Sequence, residues 1–119
     1  MVGTNVPRIW RSNLDEALRR LEENRKTGAK PYEVMLRHGS MHVGLYAPHG
    51  SDPQQPHQQD EIYVVMSGQG RFIRGAEQQA FAPGDVLFVP AGSEHRFIDF
   101  TEHFHAWVVF YGPEGGENT

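Results

Sequence analysis

The chain divides at Pro31 into a segment with helical periodicity and a longer segment in which apolar and polar residues alternate. Before Pro31, leucine and alanine recur at positions 14, 17, 18 and 21, among Arg, Glu and Asn. This spacing predicts an amphipathic helix of about three turns, with an N-cap at Ser12 and an end near Gly28. Its leucine face must pack on something, either the domain body or a second subunit.

After Pro31, short apolar runs alternate with turn residues that recur every six to twelve positions. This pattern is typical of an antiparallel β-sandwich or barrel. We therefore predict one all-β domain, with an arm and helix over residues 1–30, a β-region over 31–112 and a flexible Gly-rich tail over 113–119. The predicted strands are Tyr32–Leu36, Met41–Ala47, Glu61–Ser67, Arg71–Arg74, Gln78–Phe81, Val86–Val89, Glu94–Phe100 and Phe104–Tyr111.

The composition removes several classes of function. A net charge of −4 argues against a nucleic-acid partner, because such a partner needs a basic face. The chain has no cysteine, which excludes a disulfide, a thiolate metal site and a cysteine nucleophile. No apolar run is long enough to span a membrane, and the N-terminus lacks the apolar core of a signal peptide. We therefore expect a cytoplasmic protein without a membrane partner.

A polar loop before the third predicted strand carries the first candidate site. If the chain is extended there, Gln55, His57, Gln59 and Glu61 lie on one face, and Tyr63 continues that face into the strand. His57 and Glu61 can then meet above an apolar floor. A His and a Glu at this spacing are also common on exposed loops. These residues alone leave both a metal site and an ordinary surface loop open.

The segment from Gly84 to His95 reads as a strand, a Pro-Ala-Gly turn and a histidine that opens the next strand. Its spacing resembles the second signature motif of the cupin superfamily: glycine, five residues, proline, any residue, glycine, two residues, histidine, three residues and asparagine. Gly84, Pro90, Gly92 and His95 fall in place. The asparagine position is Asp99 in this chain.

The polar loop resembles the first signature motif of the same superfamily. His57, three intervening residues, Glu61, six residues and Gly68 match its spacing. The first of the motif's two histidines falls on Gln55, which follows Gly50 after four residues instead of five. The resemblance implies a double-stranded β-helix, the jelly-roll barrel of small cupins, with one N-terminal amphipathic helix in front of it.

Cupins usually hold a divalent metal through the histidines and glutamate of the first motif and the histidine of the second. The resemblance therefore implies His57, Glu61 and His95 as ligands, with Gln55 as a fourth through its amide oxygen. Two histidines and a carboxylate with open positions suit Fe(II), and Mn, Ni, Co and Zn remain open. Because an amide is a poorer donor than imidazole, a metal-free site also remains open.

Other side chains are candidates for the cavity or for contacts with the ligands. Either face of Phe104–Tyr111 can line the barrel: one carries His105 and Trp107, and the other is wholly apolar. His105 and His42 can reach the cavity, or each can be an ordinary structural or surface histidine. The expected set is Gln59, Tyr63, Phe97, Asp99, His105, Trp107 and His42.

The resemblance leaves two classes of function open. One is a metal-dependent dioxygenase, isomerase or lyase acting on a small organic molecule, in which Asp99 or His105 moves protons. The other is a non-catalytic module that binds or senses a small molecule, with or without a metal. The sequence identifies neither the substrate nor a catalytic residue. Small cupins commonly pair through their sheets, so we expect a homodimer.

Overall fold

A computed structural model describes residues 9–118 of the chain, and it contains the predicted helix followed by eight strands. This confirms the all-β fold with one helix. Residues 1–8 of the predicted arm lie outside the described part. The elements are α1 (Leu14–Lys26), β1 (Tyr32–His38), β2 (Met41–Tyr46), β3 (Asp60–Ser67), β4 (Gly70–Arg74), β5 (Glu77–Phe81), β6 (Val86–Val89), β7 (His95–Ile98) and β8 (His105–Tyr111).

The strands form two antiparallel sheets that share one core. The larger sheet has the order β1-β2-β8-β3-β6, and the smaller has the order β5-β4-β7. The last strand, β8, returns to lie between β2 and β3, which are consecutive in the chain but not neighbours in the sheet. This connectivity, with apolar side chains from both sheets between them, is that of a jelly-roll barrel.

Aromatic residues fill the core, and their pairing shows which face of β8 lines the barrel. Tyr63 on β3 is fully buried and lies opposite Val108. Ala106 and Phe110 share that inward face of β8 and are also buried. The opposite face, with Trp107, must therefore point outward. The prediction of Trp107 as a cavity wall is wrong, because its side chain packs on the helix side of the sheet.

Helix α1 covers the outer face of β1 and β2. Its Ala17 and Leu21 are buried against Met35 and Leu45. The predicted leucine face thus packs on the domain body. The N-cap is Asn13 and not Ser12, because the Asn13 side-chain oxygen accepts a hydrogen bond from the Glu16 N–H at 2.9 Å. No helix in residues 9–118 is long and apolar enough to cross a membrane.

The described part of the predicted tail, residues 113–118, is held against the start of β3. The N–H of Gly115 donates a hydrogen bond to the Gln58 carbonyl at 2.7 Å. The N–H of Glu117 donates to the Asp60 carboxylate at 2.9 Å, and this bond, together with one from the Ala91 N–H, lowers the pKa of Asp60. The Gly-rich composition predicts a flexible tail, but the backbone N–H groups of this segment donate hydrogen bonds to residues at the start of β3 and in the loop before it.

Candidate metal centre

Three side chains from separate parts of the chain converge inside the barrel. His57, Glu61 and His95 each offer a ligand atom, and these atoms lie within 4.8 Å of one another. Glu61 lies on β3, His95 opens β7, and His57 lies in the loop before β3. The two motifs are joined by a backbone hydrogen bond of 2.7 Å, in which the Gly92 N–H donates to the His57 carbonyl.

Glu61 is fully buried, and both its carboxylate oxygens lack a hydrogen-bond partner among the described residues. Its Oε1 lies 2.8 Å from Nε2 of His95, close enough for an ion pair when that nitrogen carries a proton. A buried carboxylate without donors is costly, because burial removes the water that would solvate its charge. The arrangement therefore calls for a cation beside Glu61, either a metal ion or a proton on His95.

The hydrogen-bond partner of Nδ1 shows which ring nitrogen of neutral His95 carries the hydrogen. Nδ1 lies 3.0 Å from the Ser93 carbonyl, which can only accept, so Nδ1 carries a hydrogen. Nε2 then faces the Glu61 carboxylate and two other oxygens. Burial lowers the pKa of His95, but Glu61 and the Ser93 carbonyl outweigh it, and the net pKa is raised. Nε2 either takes up a proton or donates its lone pair to a metal.

Gln54 occupies the place expected for Gln55. Its Oε1 lies 3.3 Å from Nε2 of His57 and 3.2 Å from Nε2 of His95. The Gln55 side chain is exposed, so its prediction as a ligand is wrong. The alternation assumed an extended chain, but β3 begins only at Asp60 and the loop before it is irregular. Because Gln54 and Gln55 are adjacent and of the same type, the sequence does not show which of them faces the histidines.

Asp52 is a second residue that sequence reasoning missed. It is buried, and its carboxylate accepts hydrogen bonds from the Tyr46 hydroxyl, the Phe97 N–H at 2.8 Å and Nε2 of Gln54 at 2.7 Å. The loop is thereby fastened to β2 and β7. Burial and the bond to Asp52 together raise the pKa of Tyr46. An aspartate in a proline-rich loop carries no sequence signal of this role.

Tyr63 and His42 both face the space above the site. The Tyr63 hydroxyl donates a hydrogen bond to Oε1 of Gln54 at 2.7 Å. His42 stacks on Phe110 with ring centroids 4.7 Å apart. Burial lowers the pKa of His42 and the pKa of His57, so both imidazoles are neutral at neutral pH.

Two residues predicted near the cavity have structural roles. Phe97 is buried in the aromatic core instead of lining the cavity. Gln59 lies at the cavity wall, where its Nε2 donates to the carbonyls of Ser40 at 2.7 Å and Gly112 at 3.0 Å. It ties the β1–β2 turn to the end of β8.

The two predicted proton carriers lie away from the site, which corrects both predictions. Asp99 is exposed in the turn after β7, with a φ of 51°. Asp and Asn tolerate this left-handed backbone better than most residues, which explains why the motif ends in such a residue. His105 lies on the outward face of β8, opposite in direction to Val108. Neither side chain lines the cavity beside the site.

A cavity of about 1020 Å³ adjoins the site. Gln54, His57 and Tyr63 line it together with Tyr32 and Phe110. Its volume is at the upper end of the range for small-molecule pockets, and its wall combines aromatic rings with a few polar groups, as such pockets usually do. The structure thus places a three-residue cluster with metal-ligand chemistry beside a space large enough for an organic molecule.

The topology and the two motifs define a cupin, and comparison with known families gives the same class. The family model described as a cupin domain matches residues 42–110, more than half of the chain, so the chain belongs to the cupin family. A relative from Streptomyces coelicolor, described as an uncharacterised protein, is 42% identical over 96 residues. That alignment covers 79% of this chain and 91% of the relative.

Solved structures with similar folds include other cupins. A Cupin 2 conserved barrel domain protein from Salinispora arenicola is 23% identical, with a TM-score of 0.58 over 68% of this chain and 74% of that one. The structure of KdgF from Halomonas sp. is 15% identical, with a TM-score of 0.59 over 66% of this chain and 74% of that one. At these identities the likeness establishes the fold alone.

Proposed function

We propose that this cupin holds one divalent metal ion at His57, Glu61 and His95 and binds a small organic molecule in the adjoining cavity. The observation that carries the proposal is the fully buried Glu61 carboxylate, which has no hydrogen-bond partner among the described residues and faces two imidazoles. Neighbouring ligands at about 2.1 Å from one ion lie about 3 Å apart. The 2.8 Å between Oε1 of Glu61 and Nε2 of His95 is compatible with that value.

The donor set suits Fe, Mn, Ni, Co or Zn. When bound, such an ion supplies a Lewis acid or a centre for dioxygen chemistry, which correspond to an isomerase or lyase and to a dioxygenase. The chain's own contribution is to fix the ligands. The Ser93 carbonyl fixes His95 with Nε2 towards the site, and the Gly92 N–H anchors the backbone at His57. The aromatic cavity wall excludes water from one side of a bound molecule.

A non-catalytic binding module is the second candidate, and the location of the acid–base groups favours it. Asp99 and His105, the expected proton carriers, lie outside the cavity. If the protein is an enzyme, His42 is the neutral imidazole in the cavity that can take up a proton from a substrate. Product formation that depends on iron or manganese would favour the enzyme. Tight retention of a ligand without turnover would favour the module.

We also propose that the protein is a homodimer that pairs through the outer face of its larger sheet. Val86 and Phe88 on the edge strand β6 are 64% and 45% exposed. Val64 and Ile62 lie opposite them on β3 and extend the same apolar face. Exposed apolar patches of this kind commonly mark contact with another protein surface.

The metal site is tested by elemental analysis of protein purified without an affinity tag. We expect about one equivalent of metal in the native protein, as one set of ligands requires. The His57→Ala variant should contain none, whereas His49→Ala, which removes an exposed histidine, should match the native protein. A native protein that stays empty when supplied with Fe, Mn, Zn and Ni at neutral pH would refute the site.

A further inference from the structure

We infer that the side-chain oxygen of Gln54 is a fourth metal ligand, and that Asp52 is the positioning residue that directs this oxygen to the site. The inference rests on the proposed metal site and adds two residues to it. It also assigns a donor set of two nitrogens and two oxygens, where the family motif would supply three imidazoles and one carboxylate.

The first support is the spacing of the donor atoms. Oε1 of Gln54 is 3.3 Å from Nε2 of His57 and 3.2 Å from Nε2 of His95. Two ligands of one ion, each at about 2.1 Å from it, are separated by about 3 Å when they lie at right angles. Gln54 therefore stands at the distance from both imidazoles that a shared ion requires.

The second support is the orientation of the Gln54 amide. A carboxylate can only accept, so the amide NH₂ must be the group that lies 2.7 Å from Oδ2 of Asp52. The Tyr63 hydroxyl donates to the opposite end of the amide at 2.7 Å. Both contacts place the carbonyl oxygen towards the imidazoles. That oxygen has two lone pairs, one for Tyr63 and one for an ion.

Asp52 has little freedom to move, which makes it an effective positioning group. The Tyr46 hydroxyl and the Phe97 N–H, from strands in different sheets, both donate to its carboxylate. The Gln54 N–H adds a third bond at 3.2 Å. Groups that orient a metal ligand in this way typically contribute about 10- to 100-fold in metal affinity.

The exchange of an imidazole for an amide oxygen has a consequence for metal choice. Imidazole suits Zn and Ni, whereas carbonyl and carboxylate oxygens suit Mn. With Gln54 in place of a histidine, the affinity of the site for Ni²⁺ and Zn²⁺ should exceed its affinity for Mn²⁺ by a smaller factor. The Gln54→His variant should increase the preference for Ni²⁺ over Mn²⁺ by roughly tenfold or more.

The experiment measures dissociation constants for Mn²⁺ and Ni²⁺ by chelator competition, on the full chain without a tag. We expect Gln54→Ala to weaken Mn²⁺ binding by at least roughly tenfold. Gln55→Ala is the matched control: it removes an identical, exposed neighbour and should leave both constants unchanged. A Gln54→Ala variant that binds Mn²⁺ as tightly as Gln55→Ala would overturn the ligand assignment, while the site at His57 and its partners would stand.

Asp52 is tested by a double-mutant cycle, with circular dichroism to verify folding. Asp52→Asn alone should weaken Mn²⁺ binding by about 10- to 100-fold. In a protein that already carries Gln54→Ala, Asp52→Asn should weaken Mn²⁺ binding hardly any further, because Asp52 acts through the Gln54 amide. Additive losses, or an Asp52→Asn protein that binds Mn²⁺ normally, would overturn its positioning role. Absence of metal from the native protein would refute the proposed site itself, and the Gln54 inference with it.

Discussion

Replacing Glu61 with Gln should stabilise the metal-free protein at high pH and at the same time weaken metal binding, because the amide that replaces the carboxylate carries no charge. Glu61 is fully buried, and its two carboxylate oxygens have no hydrogen-bond partner in the described structure. Above the pKa of His95, the neutral Nε2 at 2.8 Å also presents a lone pair to this carboxylate. Glutamine has nearly the same shape, carries no charge and can donate its NH₂ to that nitrogen.

The expected gain in the free energy of unfolding equals the cost of burying a polar group without a partner. That cost is about 1–3 kcal/mol, and more when the group is charged. For a chain of 119 residues, each kcal/mol corresponds to about 4 °C in Tm, so the variant should melt roughly 4–12 °C higher at pH 9. A metal at 100 times its Kd should stabilise the native protein by about 2.7 kcal/mol, or about 10 °C. At the same metal concentration the variant should show a clearly smaller increase in Tm.

The effect of Glu61→Gln on the stability of the metal-free protein should depend on pH. The pKa of His95 is raised in the folded protein, so its protonation stabilises the native state fully below the unfolded pKa of about 6.5. That contribution is lost as the pH rises through the folded pKa. Glu61→Gln removes the carboxylate that helps to raise this pKa, so its advantage should shrink or reverse at pH 5.

The assay is thermal unfolding by circular dichroism of chelator-treated protein at pH 5 and pH 9, with the metal arm at pH 7.5. Glu23→Gln, at an exposed helix position, is the control and should change stability by less than about 0.5 kcal/mol. The reasoning fails if Glu61→Gln is less stable than the native protein at pH 9. It also fails if the variant keeps the full metal-induced increase in Tm.

Three further predictions concern affinity, packing and assembly. Metal affinity should fall with pH, first as the pH drops through the raised pKa of His95 and then through the lowered pKa of His57, by up to roughly tenfold per pH unit for each protonated imidazole. Titrations from about pH 7.5 to 5.5 measure this, and a flat profile contradicts histidine ligation. Gly44→Ala should destabilise by about 1–3 kcal/mol in urea, because the new methyl would lie 2.5 Å from the Glu33 carbonyl and the Tyr32 ring; unchanged stability contradicts the close packing there. Phe88→Glu should convert the proposed homodimer to a monomer in light scattering, and a native protein that is already monomeric refutes the dimer.

The sequence by itself determined the strands and the approximate place of the site. Val86–Val89 was predicted with its observed bounds because turn residues, Pro83-Gly84-Asp85 before it and Pro90 after it, define both ends. The spacing of the two motifs likewise pointed to His57, Glu61 and His95, which the fold brings together. The strand bounds depend on backbone preferences and on alternation, which act between residues close in sequence. The three site residues followed from the resemblance of the two motifs to those of cupins.

Only the tertiary structure decided which face of β8 lines the barrel and which glutamine meets the histidines. Alternation allows either face of β8 inward, and the choice depends on packing against Tyr63 on one side and helix α1 on the other. Gln54 and Gln55 are chemically identical, and the irregular loop turns one inward because Asp52 holds its amide. These choices rest on contacts between residues far apart in the chain, such as Asp52 with Phe97, which local patterns do not encode.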